Sequence, residues 1–174
     1  MFTLKFFSKL IKILSSAATP NQIAGGFILG MILGLTPLIT VHNLLILLLI
    51  VLLNVNIAMA IFSFALFSGI AYLLDPVFHN LGYVLLVDAE SLRNLWVSMY
   101  NVPVLALSRY NNTVVLGSLV GAIVLLIPLF FATKYFVVAY RKTLYDRFQQ
   151  MKIVQIAKST KIYSFYQKAK EFRG

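Results

Sequence analysis

The sequence predicts an all-α integral membrane protein. It has about four transmembrane helices, the first two short or folded as a re-entrant hairpin, with amphipathic helices at both termini. Three observations predict this. Of 174 residues, 60% are apolar and 11% charged, against about 45–50% and about 25% in soluble domains. The apolar residues fall in long runs: Ile23 to Leu53 holds no charged residue. The formal charge of +10 is also unevenly placed. Residues 1–19 carry +3, residues 20–140 are neutral, and residues 141–174 carry +7. Lys and Arg near membrane segments stay on the cytoplasmic side, so both termini are expected inside and the number of crossings is even.

The elements follow in chain order. Residues 1–18 form an amphipathic interfacial helix, because Lys5, Lys9 and Lys12 share one face. They also interrupt the apolar run that a signal peptide needs. Thr19 is a good N-cap and Pro20 suits the first helical position. The transmembrane domain is residues 19–140. Its apolar run is too long for one crossing, and Thr36-Pro37 is the natural break, since proline disrupts a helix. Two arms result, 20–36 and 38–53, each near the lower limit of about 17 residues for a span. Asn54-Val-Asn56 is a polar turn. The third helix is 57–74, stopped by Asp75-Pro76. Residues 75–112 form an outer segment that lies on the membrane or dips into it around Pro103. The fourth helix is 113–139, capped by Asn111 or Asn112 and kinked at Pro128. Residues 141–174 are a basic amphipathic cytoplasmic tail whose partner is an anionic inner leaflet. No nucleic-acid module accompanies the basic charge, so nucleic acid is not an expected partner.

Few residues carry chemistry. Gly26, Gly30 and Gly34 recur every four residues, a pattern that lets another helix backbone approach closely. The pattern fits packing of the first arm on the second or third, with a homodimer seam as the alternative. Thr36, Pro37, Thr40, His42 and Asn43 form a polar cluster inside the apolar run. Such residues face a protein interior or a water-filled cavity, and broken helices at membrane depth often hold substrates or ions. The simpler reading is that His42 and Asn43 hydrogen-bond a neighbouring helix. Arg109, before Asn111-Asn112-Thr113, is a candidate for an anionic group, or an interfacial anchor. Asp75, His79, Asp88 and Glu90 match no metal-ligand spacing, so no metal is expected, and no cofactor. There is no cysteine, and no hydrolase, zinc-protease, P-loop or dinucleotide motif. A catalytic constellation is hard to assemble from five acids and two histidines.

The run from Thr19 through Gly25, Gly26, Gly30, Gly34, Thr36 and Pro37, followed by His42-Asn43-Leu44, resembles domain of unknown function 2062. That is a family of small bacterial inner-membrane proteins. Its Gly-rich helix, Gly-x-Thr-Pro break and following histidine correspond here to Gly34, Thr36, Pro37 and His42. The resemblance covers residues 19–85, and the stretches after Leu74 and Arg109 are similar to a branch of about this length. Many relatives carry an Asn-Pro-rich stretch where this chain has Phe67-Ser-Gly-Ile-Ala, so any role of that stretch does not carry over. Some relatives are fused to glycosyltransferases. The resemblance therefore implies the bacterial inner membrane and envelope biology, without a reaction.

The first functional expectation is a non-enzymatic partner or scaffold subunit in cell-envelope biogenesis, acting with a membrane or envelope protein. The second is a transporter or flippase for an anionic lipid-linked substrate, using the Thr36-Pro37 break, His42, Asn43 and Arg109. The third, an enzyme on a lipid head group, requires Asp75, His79, Asp88 or Glu90 to cluster in space.

Overall fold

Helix α1 starts at Pro20 because the local chemistry specifies a start there. Thr19 accepts from the Gln22 N–H at 3.2 Å, and the Gln22 side chain returns an acceptor to the Thr19 N–H at 2.7 Å. This reciprocal capping box satisfies two donors that a helix start leaves free. The protein is described by a computed structural model covering residue 10 and residues 13–150, without the side chains of residue 106 and residues 145–150. Most of the expected N-terminal helix over 1–18, and the tail beyond residue 150, lie outside the described residues. Contacts divide the chain into two units, Met1–Val137 and Val138–Gly174.

The described structure is helical. After α1 (Pro20–Leu35) come α2 (Val41–Leu52) and α3 (Ile57–Tyr83). A π-turn, Val84–Asp88, prolongs α3, and a 3-10 turn follows at Glu90–Leu92. Two short helices, α4 (Arg93–Tyr100) and α5 (Pro103–Ala106), lead to α6 (Thr113–Gln150). Among the described residues two stretches are long and apolar enough to cross a membrane, Ile57–Asp88 and Thr113–Leu144. Helices α1 and α2 have only 16 and 12 residues, or roughly 24 and 18 Å at the usual rise.

Several boundaries differ from those expected from the sequence. The third helix does not stop at residue 74, and the connecting segment does not begin at 75. Helix α3 runs through Asp75-Pro76 to Tyr83, and helical turns continue to Asp88. Pro76 removes one backbone donor, the one that would reach the Tyr72 carbonyl. The mainly apolar residues from Val77 to Tyr83 continue the α-helix on the far side, and apolar surroundings penalise any longer unravelling. The last helix likewise passes Pro128 without interruption and extends beyond residue 139. The first two arms are shorter than 20–36 and 38–53, because Thr36 to Thr40 are all outside helix.

The first three helices form an out-and-back path. A Cβ on Gly26 would collide with the carbonyl of Asn56, and one on Gly30 with that of Ala60. A Cβ on Gly34 would stand 2.7 Å from the Phe64 carbonyl oxygen. The offset stays near 30 residues, so α1 and α3 run parallel with their backbones abutting, and α2 returns the chain between them. The Asn56 N–H donates to the Gln22 carbonyl at 2.9 Å, which sets the two helix starts level. Ser63, fully buried, donates to the Phe27 carbonyl at 2.6 Å across the same seam. Further along α3 the neighbour changes. Gly82 abuts the Thr113 backbone and Gly117 abuts the Phe78 backbone, so α6 packs antiparallel on α3. Ile28, Met31, Ile32 and Leu35 meet Phe78 and Ala122 in one buried cluster.

The surface is aliphatic. In α2 the one buried residue is Asn43, while Leu44, Leu45, Leu47, Leu48, Val51 and Leu52 are all exposed. An apolar coat on this scale is a site of contact with lipid or another protein.

The seam gives a sharp stability test. Gly30→Leu forces the α1 and α3 backbones apart, and overpacking of this kind costs about 1–3 kcal/mol or more. Gly69 has nothing within 4 Å of a built Cβ, so Gly69→Leu is tolerated. Thermal unfolding of the two variants in mild detergent should lower the midpoint clearly for Gly30→Leu and leave it near wild type for Gly69→Leu.

Candidate functional site at the helix break

Residues 36–40 separate two helices whose free ends meet in a small volume. Helix α1 ends in carbonyls without helical donors, and Pro37 has no N–H to offer the Leu33 carbonyl. Side chains fill the gap. The Thr36 N–H donates to the Ile32 carbonyl at 3.1 Å. Its hydroxyl lies 2.7 Å from the same carbonyl and 2.8 Å from Asn43 Oδ1. A hydroxyl has one proton, so it donates to one of these acceptors at a time. Asn43 Nδ2 donates to the Pro37 carbonyl at 2.9 Å and reaches the Leu38 carbonyl at 3.5 Å. Thr36 and Asn43 are both buried.

A second, more open layer lies outside this pair. The Thr40 hydroxyl donates to the Pro37 carbonyl at 3.2 Å and stands 3.0 Å from Nε2 of half-buried His42. Thus Thr36, Pro37, His42 and Asn43 are brought together. Asn43 ties the hairpin to itself through Thr36 and Pro37, and His42 bonds within the tip through Thr40. Because Gly34 abuts Phe64 and Ser68, this tip lies level with about the third turn of α3.

Arg109 joins the same place from far along the chain. It lines an open groove with Leu38, Ile39, Thr40, Val41, Leu44, Leu47 and Leu107. Among the described residues it is the one non-glycine with positive φ, 58°. This left-handed conformation costs an ordinary side chain about 1–2 kcal/mol. A second groove is lined by Leu33, Leu38, Asn43, Leu47 and Ile50 together with Ile57, Ala60, Ile61 and Phe64 of α3. The two grooves share Leu38 and Leu47.

Other candidates are placed differently. Gly26, Gly30 and Gly34 face α3 within the chain. His79 Nδ1 lies 2.7 Å from the Thr113 hydroxyl, and Asp75 sits inside α3 instead of ending it. Among the described residues no three His, Asp or Glu side chains come close enough to hold a metal. Asn112, not Asn111, caps α6, accepting from the Val114 and Val115 N–H groups at 2.9 and 3.2 Å. The sequence pattern carries no sign of the Ser63 bond or of the approach of Arg109 to the break. It also hid a pairing of Trp96 with Tyr110. These rings stack with centroids 5.8 Å apart, and the Tyr110 hydroxyl donates to the Trp96 carbonyl at 2.7 Å.

Removing the buried amide tests how far the tip depends on it. Asn43→Leu removes the amide from the Pro37 and Leu38 carbonyls and leaves Pro37 only the Thr40 hydroxyl, a loss of about 1–3 kcal/mol for a buried group. Thr36→Ser keeps the hydroxyl and should cost much less. Unfolding midpoints in detergent should fall for Asn43→Leu and stay close to wild type for Thr36→Ser.

A family model described as an uncharacterized protein conserved in bacteria, DUF2062, matches residues 4–144. No curated protein and no solved structure matches the chain.

Proposed function

Since the chain belongs to this bacterial family of uncharacterized proteins, we propose that it is a non-enzymatic, multi-pass protein of the inner membrane with both termini cytoplasmic. At its helix break it binds the acidic head of a lipid or lipid-linked molecule and passes it between leaflets. The observation that carries this reading is Arg109 in the groove beside Leu38–Val41. A groove whose described lining is aliphatic apart from Arg109 and Thr40 suits an anionic amphiphile. The apolar walls take the chain and the guanidinium takes the acid, for which its planar donors are well matched.

The depth of the tip supports the same reading. Helix α3 begins at residue 57 after the polar Asn54 and Asn56. Ten or eleven residues on, at the level of the tip, it has risen roughly 15 Å. That is half the thickness of a hydrocarbon core of about 30 Å. Helices α1 and α2 then form a re-entrant hairpin entering from the cytoplasmic side, and α3 and α6 make the two crossings. The basic flanks agree with this topology under the positive-inside rule. Non-helical backbone at such depth survives only where protein or a cavity shelters it, and Thr36 and Asn43 provide that shelter.

A scaffold role in envelope biogenesis is the second reading. The exposed leucine face of α2 favours it, because a partner helix could cover that face.

Two measurements separate these readings. The chain has no cysteine, so single cysteines report cleanly on depth. Ile39→Cys should resist a membrane-impermeant maleimide from either side, while Asn54→Cys labels from the cytoplasm and Asn101→Cys from outside. Labelling of residue 39 from outside as readily as residue 101 would show two full crossings. In proteoliposomes, Arg109→Gln should weaken phosphatidylglycerol binding and transfer by about tenfold, near the 1.4 kcal/mol of one charged hydrogen bond. Unchanged transfer, with a membrane partner co-purifying in both forms, would favour the scaffold.

A further inference from the structure

The turn at Arg109 separates two mainly apolar grooves, one holding a cation and the other aromatic rings with amides. Arg109 lines the aliphatic groove at the hairpin tip, whereas the next residue, Tyr110, lines another of about 380 Å³, inside the roughly 300–1,000 Å³ of small-molecule sites. Aromatic Trp96 and Tyr100, aliphatic Leu86, Val87 and Val97, and polar Asn101, Asn111 and Thr113 complete a lining that is mainly apolar. None of the described residues that line it is charged.

Its rings are fixed in place. Trp96 Nε1 donates to the Leu85 carbonyl at 2.9 Å, and the Tyr110 hydroxyl donates to the Trp96 carbonyl. Tyr110 is buried, and its ring stacks at 26° on Trp96. With their polar atoms already bonded, the rings present apolar surface to the groove. Asn101 and Asn111 make no side-chain hydrogen bond within the described residues, since Asn112 does the capping of α6. Each amide therefore offers both donors and acceptors.

From this combination we infer that the groove is a saccharide subsite. A pyranose has apolar C–H faces that stack on aromatic rings. Its hydroxyls both donate and accept, which matches amides and not carboxylates or ammonium groups. A neutral lining offers no ion pair to a charged ligand. If the hairpin groove takes an anionic lipid, as proposed above, an acidic group at Arg109 lies between the lipid chain on one side and the sugar on the other. The ligand class is then a glycolipid with an acidic linkage. The sugar site itself rests on its own residues and not on that reading. Interfacial Trp and Tyr also serve as plain membrane anchors, so the test includes that outcome.

Trp96 is the sole tryptophan of the chain, so native fluorescence reports on this groove directly. The full-length protein in phosphatidylethanolamine–phosphatidylglycerol nanodiscs, free of sugar-headed detergent, is titrated with glucose and with N-acetylglucosamine. Glycerol and inorganic phosphate are the controls. The expected result is a saturable emission change with a sugar and none with the controls. Asn101→Ala with Asn111→Ala should raise the half-saturation concentration about tenfold, with an unchanged circular dichroism spectrum. Arg109→Gln should leave it in place. No saturable response to either sugar, or an equal response in the double variant, overturns the saccharide site. So does emission that responds to brominated lipid chains and to neither sugar, which identifies an anchor. Lipid binding that still depends on Arg109 in that case leaves the proposed function standing. A sugar response without any preference for anionic lipid removes the lipid reading and keeps the sugar site.

Discussion

A helix that breaks among apolar groups exposes backbone carbonyls and amides that have nowhere to turn. The Thr36–Asn43 pair meets that demand, and the first half of the chain is arranged around it. One hydroxyl and one amide reach the Ile32, Pro37 and Leu38 carbonyls. They also close the loop on itself, since their own side chains are bonded together. With the break satisfied internally, α2 can reverse direction and expose leucines along most of its length. The arrangement inverts the pattern of a water-soluble hairpin, where the amide would face solvent and the leucines the core.

The second constraint is distance between backbones. Apolar side chains gain little by leaving lipid for one another, so helices in an apolar medium associate through close packing and polar contacts. Here the glycines of α1 meet the carbonyls of α3, and Ser63 adds a hydrogen bond within the same strip. The parallel course of α1 and α3 follows from this contact. It also determines how high the tip rises against α3, and thereby which groove Arg109 can reach.

Local chemistry was the legible part. Thr19, Pro20 and Gln22 announce a helix start because a capping box spans four residues. Thr36-Pro37 announces a break for the same reason. The spacing of Gly26, Gly30 and Gly34 reveals a close contact, though not its partner, because nothing in a glycine repeat names the opposing helix. Asp75-Pro76 misleads. Proline removes one hydrogen bond, but in an apolar setting unravelling would expose several more, so the helix continues. Arg109 could not be placed from sequence, since about seventy residues separate it from the loop it faces. The Trp96–Tyr110 platform depends on hydrogen bonds to backbone carbonyls, which side-chain periodicity does not record.

The course of α3 through Pro76 has a mechanical consequence. Below Ser68 the helix is held against α1 at three glycines, and from Phe78 upward it is held against α6 at Gly82 and Gly117. Pro76 falls between these two clamps, where the Tyr72 carbonyl lacks its helical donor and Gly69 touches nothing. The helix does not hinge freely there, because Phe78, just past the proline, shares one buried cluster with Ile28, Met31, Ile32 and Leu35 of α1 and with Ala122 of α6. Side-chain packing thus bridges the point where the backbone bond is missing. The spacing between tip and platform is set by that packing beside the proline, and not by α3 alone.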